Sequence, residues 1–362
     1  MKKKILVSAY FAQNVGDDLF LKTLFDRYAN VEWELLTANR NYNHIFKAYK
    51  NVKIIYSYRE IKIGKQAVNL FYAGNLLKKY HAFLLIGGSL FMQSPAWERK
   101  ISEREQLVKE FKRMEKKVFL IGANFGPFHN DVYIERYRGL FQQFDDICFR
   151  DQYSRKLFHD VAGVRVAPDL VFTMKDRSRP VLQEEASVGF SLIHLQNRQG
   201  LREHHYDYIE KMSEWIRSYV EQGRQVKLFS FCEIEGDAQM NQELLAKLGD
   251  VRRRVKHIRY EGNLPSFLAE FKSCTKIIAT RFHAIILALL FKQKVYPIIY
   301  SEKTLHVLQD LKLEKYACDI KQIHSLDVKQ AMNHIEENTL ENGEVINMAE
   351  RHFEKLDTFV LE

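Results

Sequence analysis

The stretch from Lys276 to Phe291 reads KIIATRFHAIILALLF. Its first four residues have the apolar, β-branched character of a buried strand, and Ala284 to Phe291 is wholly apolar over about two helical turns. Between them lie Thr280, Arg281, Phe282 and His283. A strand that passes through a short polar junction into a helix is the building unit of a parallel α/β sheet. Such a junction lies at the carboxyl end of its strand, where open parallel sheets bind ligands. Arg281 and His283 head an otherwise apolar helix, so they need partners or a task, because burying unpaired polar groups is costly.

The same unit recurs on both sides. Toward the N-terminus the apolar runs predict strands over 4–10, 34–37, 52–56, 82–86, 117–121, 146–150 and 164–167. Amphipathic stretches between them predict helices over 17–28, 65–79, 97–115, 130–143 and 152–160. Residues 175–185 (KDRSRPVLQEE) are polar, contain Pro180 and read as a linker. The alternation then restarts, with strands over 187–194, 225–231, 255–260, 276–279 and 294–299, and helices over 206–222, 238–248, 264–272 and 282–291; two helices are expected from 326 onward. The pattern implies an α/β protein of two Rossmann-like domains, 1–178 and 186–340, with a cleft between them. Residues 341–362 form a final helix that packs back on the first domain.

Composition fits two ordinary cores. The chain has 362 residues, 46% apolar and 28% charged, with only 6 prolines and 16 glycines. Its net charge of +9, from 55 Lys and Arg against 46 Asp and Glu, favours an anionic substrate or surface. Cys148, Cys232, Cys274 and Cys318 form neither a CxxC pair nor a zinc-spaced cluster, so no metal is expected and a reducing compartment fits. The start MKKKILVSAYFAQN lacks a signal-peptide cleavage site, and no segment approaches the ~18 apolar residues of a spanning helix. The expected location is the cytoplasm, with the inner face of the membrane as a place of contact.

Common catalytic signatures are absent. There is no GxGxxG after the first strand, no GxxxxGK[ST], no GxSxG and no HExxH. What remains are short polar clusters at strand ends. Asn14-Val15-Gly16-Asp17-Asp18 follows the first strand; Asp17 or Asp18 is placed to cap the next helix, whose N-terminus is also an anion or hydroxyl site. Gly87-Gly88-Ser89-Leu90-Phe91 allows close approach of a ligand or of a neighbouring loop. Gly122 to Phe128 (GANFGPF) is stiffened by Pro127 and offers Asn124. Arg150 and Asp151 stand at a strand-to-helix junction, where an arginine forks onto a carboxylate or phosphate or pairs structurally with Asp151. At the junction of Arg281 and His283 the helix end favours an anion and lowers the imidazole pKa, which suits a proton donor. Lys303, in the run Tyr300 to Lys303, follows the next strand. The basic run 252–259 (RRRVKHIR) reads as a solvated surface or an anion-binding face, and the acidic loop 233–237 has no specific metal spacing.

The ordered set N-x-G-D-D, G-G-x-L-F, G-x-x-x-G-P, R-D-x-x-S, P-D and R-x-H, running from about Val7 to Lys303, resembles the polysaccharide pyruvyltransferase family. The resemblance implies a GT-B-like arrangement, with the acceptor on the first domain and the donor on the second. It implies transfer of a pyruvyl unit from phosphoenolpyruvate to a sugar of a cell-surface or exopolysaccharide, with release of phosphate. Arg281 and His283 match the R-x-H and Arg150 the R-D-x-x-S. On that match the arginines bind the donor's phosphate and carboxylate, facing one another across the cleft, and His283 is the general acid. Lys303, Asn14, Asp17, Gly87, Gly88 and Asn124 complete the expected substrate site. Ser89 stands where a third glycine is common and Leu170 where proline is common. The scheme needs no cofactor beyond the donor substrate and no metal, and its partners are phosphoenolpyruvate and a glycan or lipid-linked oligosaccharide rather than nucleic acid. Two other readings remain: a GT-B glycosyltransferase using a nucleotide sugar, and a non-catalytic glycan-binding component of a polysaccharide assembly complex.

Overall fold

The apolar runs assemble into two all-parallel sheets, in a computed structural model that describes residues 2–55, 60–63, 66–69, 75–175, 187–196 and 198–362. The strands of the first half are β1 (Lys4–Ser8), β2 (Glu32–Leu36), β3 (Val52–Ile55), β4 (Glu60–Ile63), β5 (Gln66–Asn69), β6 (Ala82–Ile86), β7 (Lys117–Ala123), β8 (Asp146–Phe149) and β9 (Val164–Val166). The helices that accompany them are α1 (Val15–Arg27), α2 (Tyr42–Ile45), α3 (Trp97–Arg113), α4 (Asp131–Phe141) and α5 (Gln152–Leu157). Their seven-stranded sheet has the order β3-β2-β1-β6-β7-β8-β9, so the strand order reverses at β1.

The second half repeats the scheme. Strands β10 (Ser187–Ser191), β11 (Val226–Ser230), β12 (Val255–Arg259), β13 (Cys274–Ala279), β14 (Lys294–Ile299) and β15 (Cys318–Asp319) have the order β12-β11-β10-β13-β14-β15, reversing at β10. The helices are α6 (His205–Glu221), α7 (Asp237–Leu248), α8 (Leu264–Lys272), α9 (Phe282–Leu290), α10 (Glu302–Asp310), α11 (Val328–His334), α12 (Gly343–Ala349) and α13 (Glu354–Leu361). Parallel sheets of this kind bind ligands past the carboxyl ends of their strands, beside the point of reversal.

Three local expectations are corrected. Among the described residues of 65–79 there is no α-helix: β5 pairs antiparallel with β4, and Asn75–Lys79 is a 3-10 turn. Ile61, Ile63 and Val68 carry branched β-carbons, and Gly64 weakens any helix through the segment. Helix α10 was not evident in the sequence, and the tail holds three helices, not two. The proposed linker falls on residues 176–185, outside the described residues, apart from Lys175.

Two compact units emerge from the contacts. One holds the residues up to Phe11, Leu19–Thr173 and Ile346–Glu362; the other holds Ala12–Asp18 and Met174–Val345. The first unit has an aromatic core in which Phe91, Phe125, Tyr137, Phe141, Phe149 and Phe158 are all buried. Phe125 and Phe158 meet edge to face at 4.7 Å and Phe91 and Phe141 at 5.2 Å. Each such ring contributes roughly 1.5–3 kcal/mol through burial, which explains the phenylalanines of the sequence clusters without any functional role. The C-terminal segment is bound into this unit: Arg27 forks onto Asp357 (2.6–3.0 Å) and reaches Glu350 (2.6 Å), while Phe359 packs on Phe119. In the second unit α6 lays Tyr208, Met212, Trp215 and Tyr219 against the sheet. No helix among the described residues is long and apolar enough to cross a membrane.

Candidate active site

In the second unit the junction after β13 is clamped to the neighbouring strand. The amides of Thr280 and Arg281 both donate to the Ser191 carbonyl at the end of β10, at 2.8 and 3.3 Å. The Thr280 hydroxyl also bonds Tyr208 Oη at 2.5 Å. Arg281 occupies the N-cap position of α9, but its side chain makes no cap; it is buried and runs to two carboxylates. Nε lies 2.9 Å from both oxygens of Asp237, Nη2 bonds Asp237 Oδ1, and Nη1 bonds Glu235. Asp237 is itself fixed by the amides of Phe231 (2.9 Å) and Cys232 (3.1 Å). Gly236, at φ 86°, adopts the left-handed turn that brings Glu235 and Asp237 onto one guanidinium. The acidic loop singled out in the sequence therefore serves Arg281.

The electrostatics leave this node positive. Burial works against the charge of Arg281, but Asp237 and Glu235 outweigh it and hold its pKa well above the ordinary value. Burial would raise Glu235, yet Arg281, Arg198 and Lys303 pull it down to about 2. Arg198, from the loop after β10, reaches Glu235 at 3.3 Å and lies 5.2 Å over the Tyr300 ring. Burial alone would raise the Tyr300 phenol, but Lys303, Arg198 and Arg281 bring it below its ordinary value. Three cations thus surround two carboxylates. Lys303, half-buried in the first turn of α10, belongs to this group.

His283, the second residue of α9, is seated on Gly16: a β-carbon at Gly16 would stand 1.8 Å from its Nδ1. That contact joins the first sequence cluster to the last. Asn14 supports it from below. Its Oδ1 accepts from the Gly16 amide and its carbonyl from the Asp18 amide, both at 2.9 Å, so Asn14 caps α1. The expectation that Asp17 or Asp18 caps this helix is corrected, because α1 starts at Val15 and both aspartates lie inside its first turn. Asp17 is buried, and Asp18 accepts from Tyr260 Oη at 2.6 Å. The Val15 amide donates to the Phe231 carbonyl at 3.1 Å.

The first unit builds a different node past the ends of β6 to β9. Arg150 follows β8, with its side chain 1% exposed. It donates to Asp169 at 2.9 Å and to Asn124 Oδ1 at 2.5 Å. It is thus buried and held inside the unit, with Asp169 as a carboxylate partner. A β-carbon at Gly88 would stand 2.6 Å from its Nη1, so that glycine makes room for the guanidinium. Gly87 adopts φ 136°, and Asn124 is held by its amide on the Gly88 carbonyl at 2.9 Å. Asp151 caps α5 through the Ser154 amide (2.7 Å), and the Ser154 hydroxyl accepts from Phe125 N (2.8 Å). These two residues brace one loop against another. Asp169 is fixed in turn by the Val171 amide at 3.0 Å. His352 braces the preceding Pro168 carbonyl at 2.8 Å; burial pushes this imidazole down to about 3, so it is neutral. Leu170 is buried against Gly122, and Ser89 is half-buried beside Gly88.

Arg281, His283, Lys303, Asn14 and Asp17 thus lie in the second unit, and Arg150, Asn124, Gly87 and Gly88 in the first. The sequence reading missed Arg198, Glu235 and Asp237 as members of the site. Their signal was weak: Arg198 and Glu235 lie on loops after β10 and β11, and Asp237 opens α7, with no characteristic spacing. Residues 14–302 match the family model described as polysaccharide pyruvyl transferase. The chain belongs to the polysaccharide pyruvyl transferase family. It is a transferase with pyruvyltransferase-type activity in polysaccharide synthesis, taking a glycan acceptor. The amylovoran biosynthesis protein AmsJ of Erwinia amylovora is 23% identical over 291 residues, covering 72% of this chain and 67% of that one. Solved structures place the transferase in the GT-B class of two Rossmann-like domains. The UDP-GlcNAc 2-epimerase of Neisseria meningitidis aligns with TM-score 0.62 at 10% identity, covering 100% of both chains. The epimerase of Methanocaldococcus jannaschii gives 0.61 at 12%, covering 99% of this chain and 100% of that one. Anabaena HepE gives 0.55 at 13%, with the same coverage.

Proposed function

We propose that this transferase moves the pyruvyl unit of phosphoenolpyruvate onto a hydroxyl of a glycan or lipid-linked oligosaccharide, releasing inorganic phosphate. The observation that carries the reading is the seat of His283 on Gly16, within the same unit as the net-positive group of Arg281, Arg198 and Lys303. Phosphoenolpyruvate is a compact polyanion, and that group offers it charge neutralisation on the second unit. His283 gives a proton to the methylene carbon, which makes C2 electrophilic. A sugar hydroxyl attacks C2 and returns its proton to His283, and phosphate departs with the C2–O electron pair; a second hydroxyl then attacks C2 and closes a ketal, its proton passing to the released phosphate. Lys303, Arg198 and the N-terminus of α9 stabilise charge on the leaving phosphate. Arg281 acts through the geometry it imposes on Glu235 and Asp237 as well as through its charge. Asn14 and Asp17 shape the turn that carries Gly16. Arg150, with Asn124, Gly87 and Gly88, is a positioning group for the loops of the first unit. The exposed run Arg252 to Arg254 supports contact with an anionic membrane face presenting such an acceptor.

The test is phosphate release from phosphoenolpyruvate in the presence and absence of acceptor oligosaccharides. His283→Ala is expected to lower kcat by roughly 10²–10⁴-fold with an unchanged melting temperature. Full activity in that variant removes His283 as the acid. A thermal-shift panel separates the other readings: stabilisation by a nucleotide sugar but not by phosphoenolpyruvate points to glycosyl transfer, and binding without turnover of any donor to a glycan-binding role.

A further inference from the structure

The second unit gathers another polar cluster that the proposed chemistry does not use. His194 lies in the loop after β10, His205 opens α6 and Glu243 sits within α7. The two imidazoles are 3% and 6% exposed, with ring centroids 4.9 Å apart. Each points its Nε2 at a different oxygen of one carboxylate, His194 to Glu243 Oε1 at 3.1 Å and His205 to Oε2 at 2.8 Å. The ligand atoms of all three residues lie within 4.8 Å of one another. The Glu243 side chain is 31% exposed, so the cluster is open on that side, and the Gln239 amide steadies its carboxylate at 3.0 Å. The position is built in: a β-carbon at Gly236 would press on His194 Cβ at 3.0 Å.

We propose that His194, His205 and Glu243 bind a divalent transition metal of the zinc class, with solvent in the fourth position. Two imidazole nitrogens and one carboxylate oxygen form a donor set that this class favours, and three protein ligands with one open place is a common arrangement for it. Bonds of about 2.0–2.2 Å in a tetrahedron put the ligand atoms roughly 3.3 Å apart. The observed separations between nitrogen and oxygen, 3.1 and 2.8 Å, are close to that value, and Glu243 is the most exposed of the three. In the hydrogen-bonded arrangement each Nε2 carries the proton it donates to Glu243. Metal binding moves that proton to Nδ1 and frees the Nε2 lone pair. Neither Nδ1 has a hydrogen-bond partner among the described residues. Acceptors on that nitrogen strengthen metal-bound imidazoles, so without them the site is expected to bind its metal roughly 10–100-fold more weakly. The metal ties the loop after β10 to α6 and α7. That loop also carries Arg198, whose Nε donates to the His194 carbonyl at 3.3 Å, so metal binding orders a cation of the anion site.

The experiment titrates the full chain, first dialysed against a chelator, with Zn²⁺ by calorimetry and with Co²⁺ as an optical probe. One equivalent is expected, with the visible bands of a tetrahedral Co²⁺ site. Glu243→Gln and His205→Gln, which keep hydrogen-bonding side chains, are each expected to weaken binding by roughly 100-fold or more, while His283→Ala leaves it unchanged. Absence of saturable uptake by the unaltered chain overturns the proposal, as does uptake that persists in both ligand variants or vanishes in His283→Ala. If a ligand variant fails to fold, the stoichiometry and Co²⁺ spectrum of the unaltered chain decide. None of these readings depends on phosphoenolpyruvate turnover.

Discussion

Arg150 and Arg281 each follow a parallel strand at its carboxyl end, one in each unit, and both are almost inaccessible to solvent. Their surroundings differ in charge. Arg150 donates to the buried carboxylate of Asp169 and to the Asn124 amide oxygen, and the Arg150–Asp169 pair is closed off from solvent. Arg281 meets two carboxylates, but Arg198 and Lys303 act on the same Glu235, so cations outnumber anions there and Glu235 is partly exposed. The first arrangement stores its charge in the fold, and the second keeps a positive field that an incoming anion can use. An arginine at a strand end is thus not in itself evidence of ligand binding; the count of neighbouring charges distinguishes the two.

The comparison breaks most visibly at Arg150. Burial pushes the Asp169 carboxyl up, and Arg150 and the Val171 amide work against that rise. Arg150→Met removes the guanidinium that bonds Asp169 at 2.9 Å and takes a counter-charge from a buried carboxylate, at an expected cost of about 3–5 kcal/mol in unfolding free energy. Urea denaturation at neutral pH measures it, and the loss should shrink as Asp169 protonates on acidification. A loss below 1 kcal/mol at neutral pH, together with abolished donor binding, would reverse the assignment of Arg150 from positioning group to ligand.

Glu235 sharpens the other half. Its carboxyl is depressed from an ordinary 4.5 to about 2. A depressed acid contributes stability that is fully present above its unfolded pKa and is lost as the pH falls through the folded one. Glu235→Gln is therefore expected to destabilise by up to roughly 3 kcal/mol at pH 7, with the gap to the unaltered chain closing between pH 4.5 and about 2. It also removes a negative charge from the cation group, so phosphoenolpyruvate should bind about tenfold more tightly. Acid-dependent melts and calorimetry with the donor check the two parts. A stability gap that persists at pH 2, or a weakened donor, contradicts this account of the node.

Much of this architecture was legible because strands buried on both faces of a parallel sheet are uniformly apolar. The strands of both principal sheets except β15 could be located that way, although their bounds shifted by a few residues. The hairpin of β4 and β5 was not legible, since two short alternating runs on either side of Gly64 and Lys65 also fit a helical pattern. The ordered motifs located Gly16, Gly88, Arg150 and His283 but not what each touches. Gly16 and His283 meet from distant parts of the chain, and Asp237, at the start of α7 after β11, reaches Arg281, which follows β13. Pairing of that kind is settled by sheet order, which short-range pattern does not encode. His194, His205 and Glu243 escaped for the same reason: they share no motif spacing and converge only through the packing of α6 and α7.

Lys303 carries the smallest expected effect and the cleanest contrast with Arg150. It is half-buried on α10 and, with Arg281 and Arg198, lowers the pKa of Glu235. Lys303→Ala leaves no buried carboxylate stranded, because Glu235 keeps Arg281 and Arg198. Unfolding free energy should change by no more than about 0.5 kcal/mol. The KM for phosphoenolpyruvate should rise about five- to tenfold, since a unit charge near a water-accessible anion contributes on the order of 1 kcal/mol. Because such an interaction is screened, the difference should narrow as salt approaches 1 M, where the screening length falls to about 3 Å. A salt-independent rise in KM would mean that Lys303 makes a dry, directed contact with the donor. An unchanged KM would leave Arg198 and Arg281 as the cations that meet it.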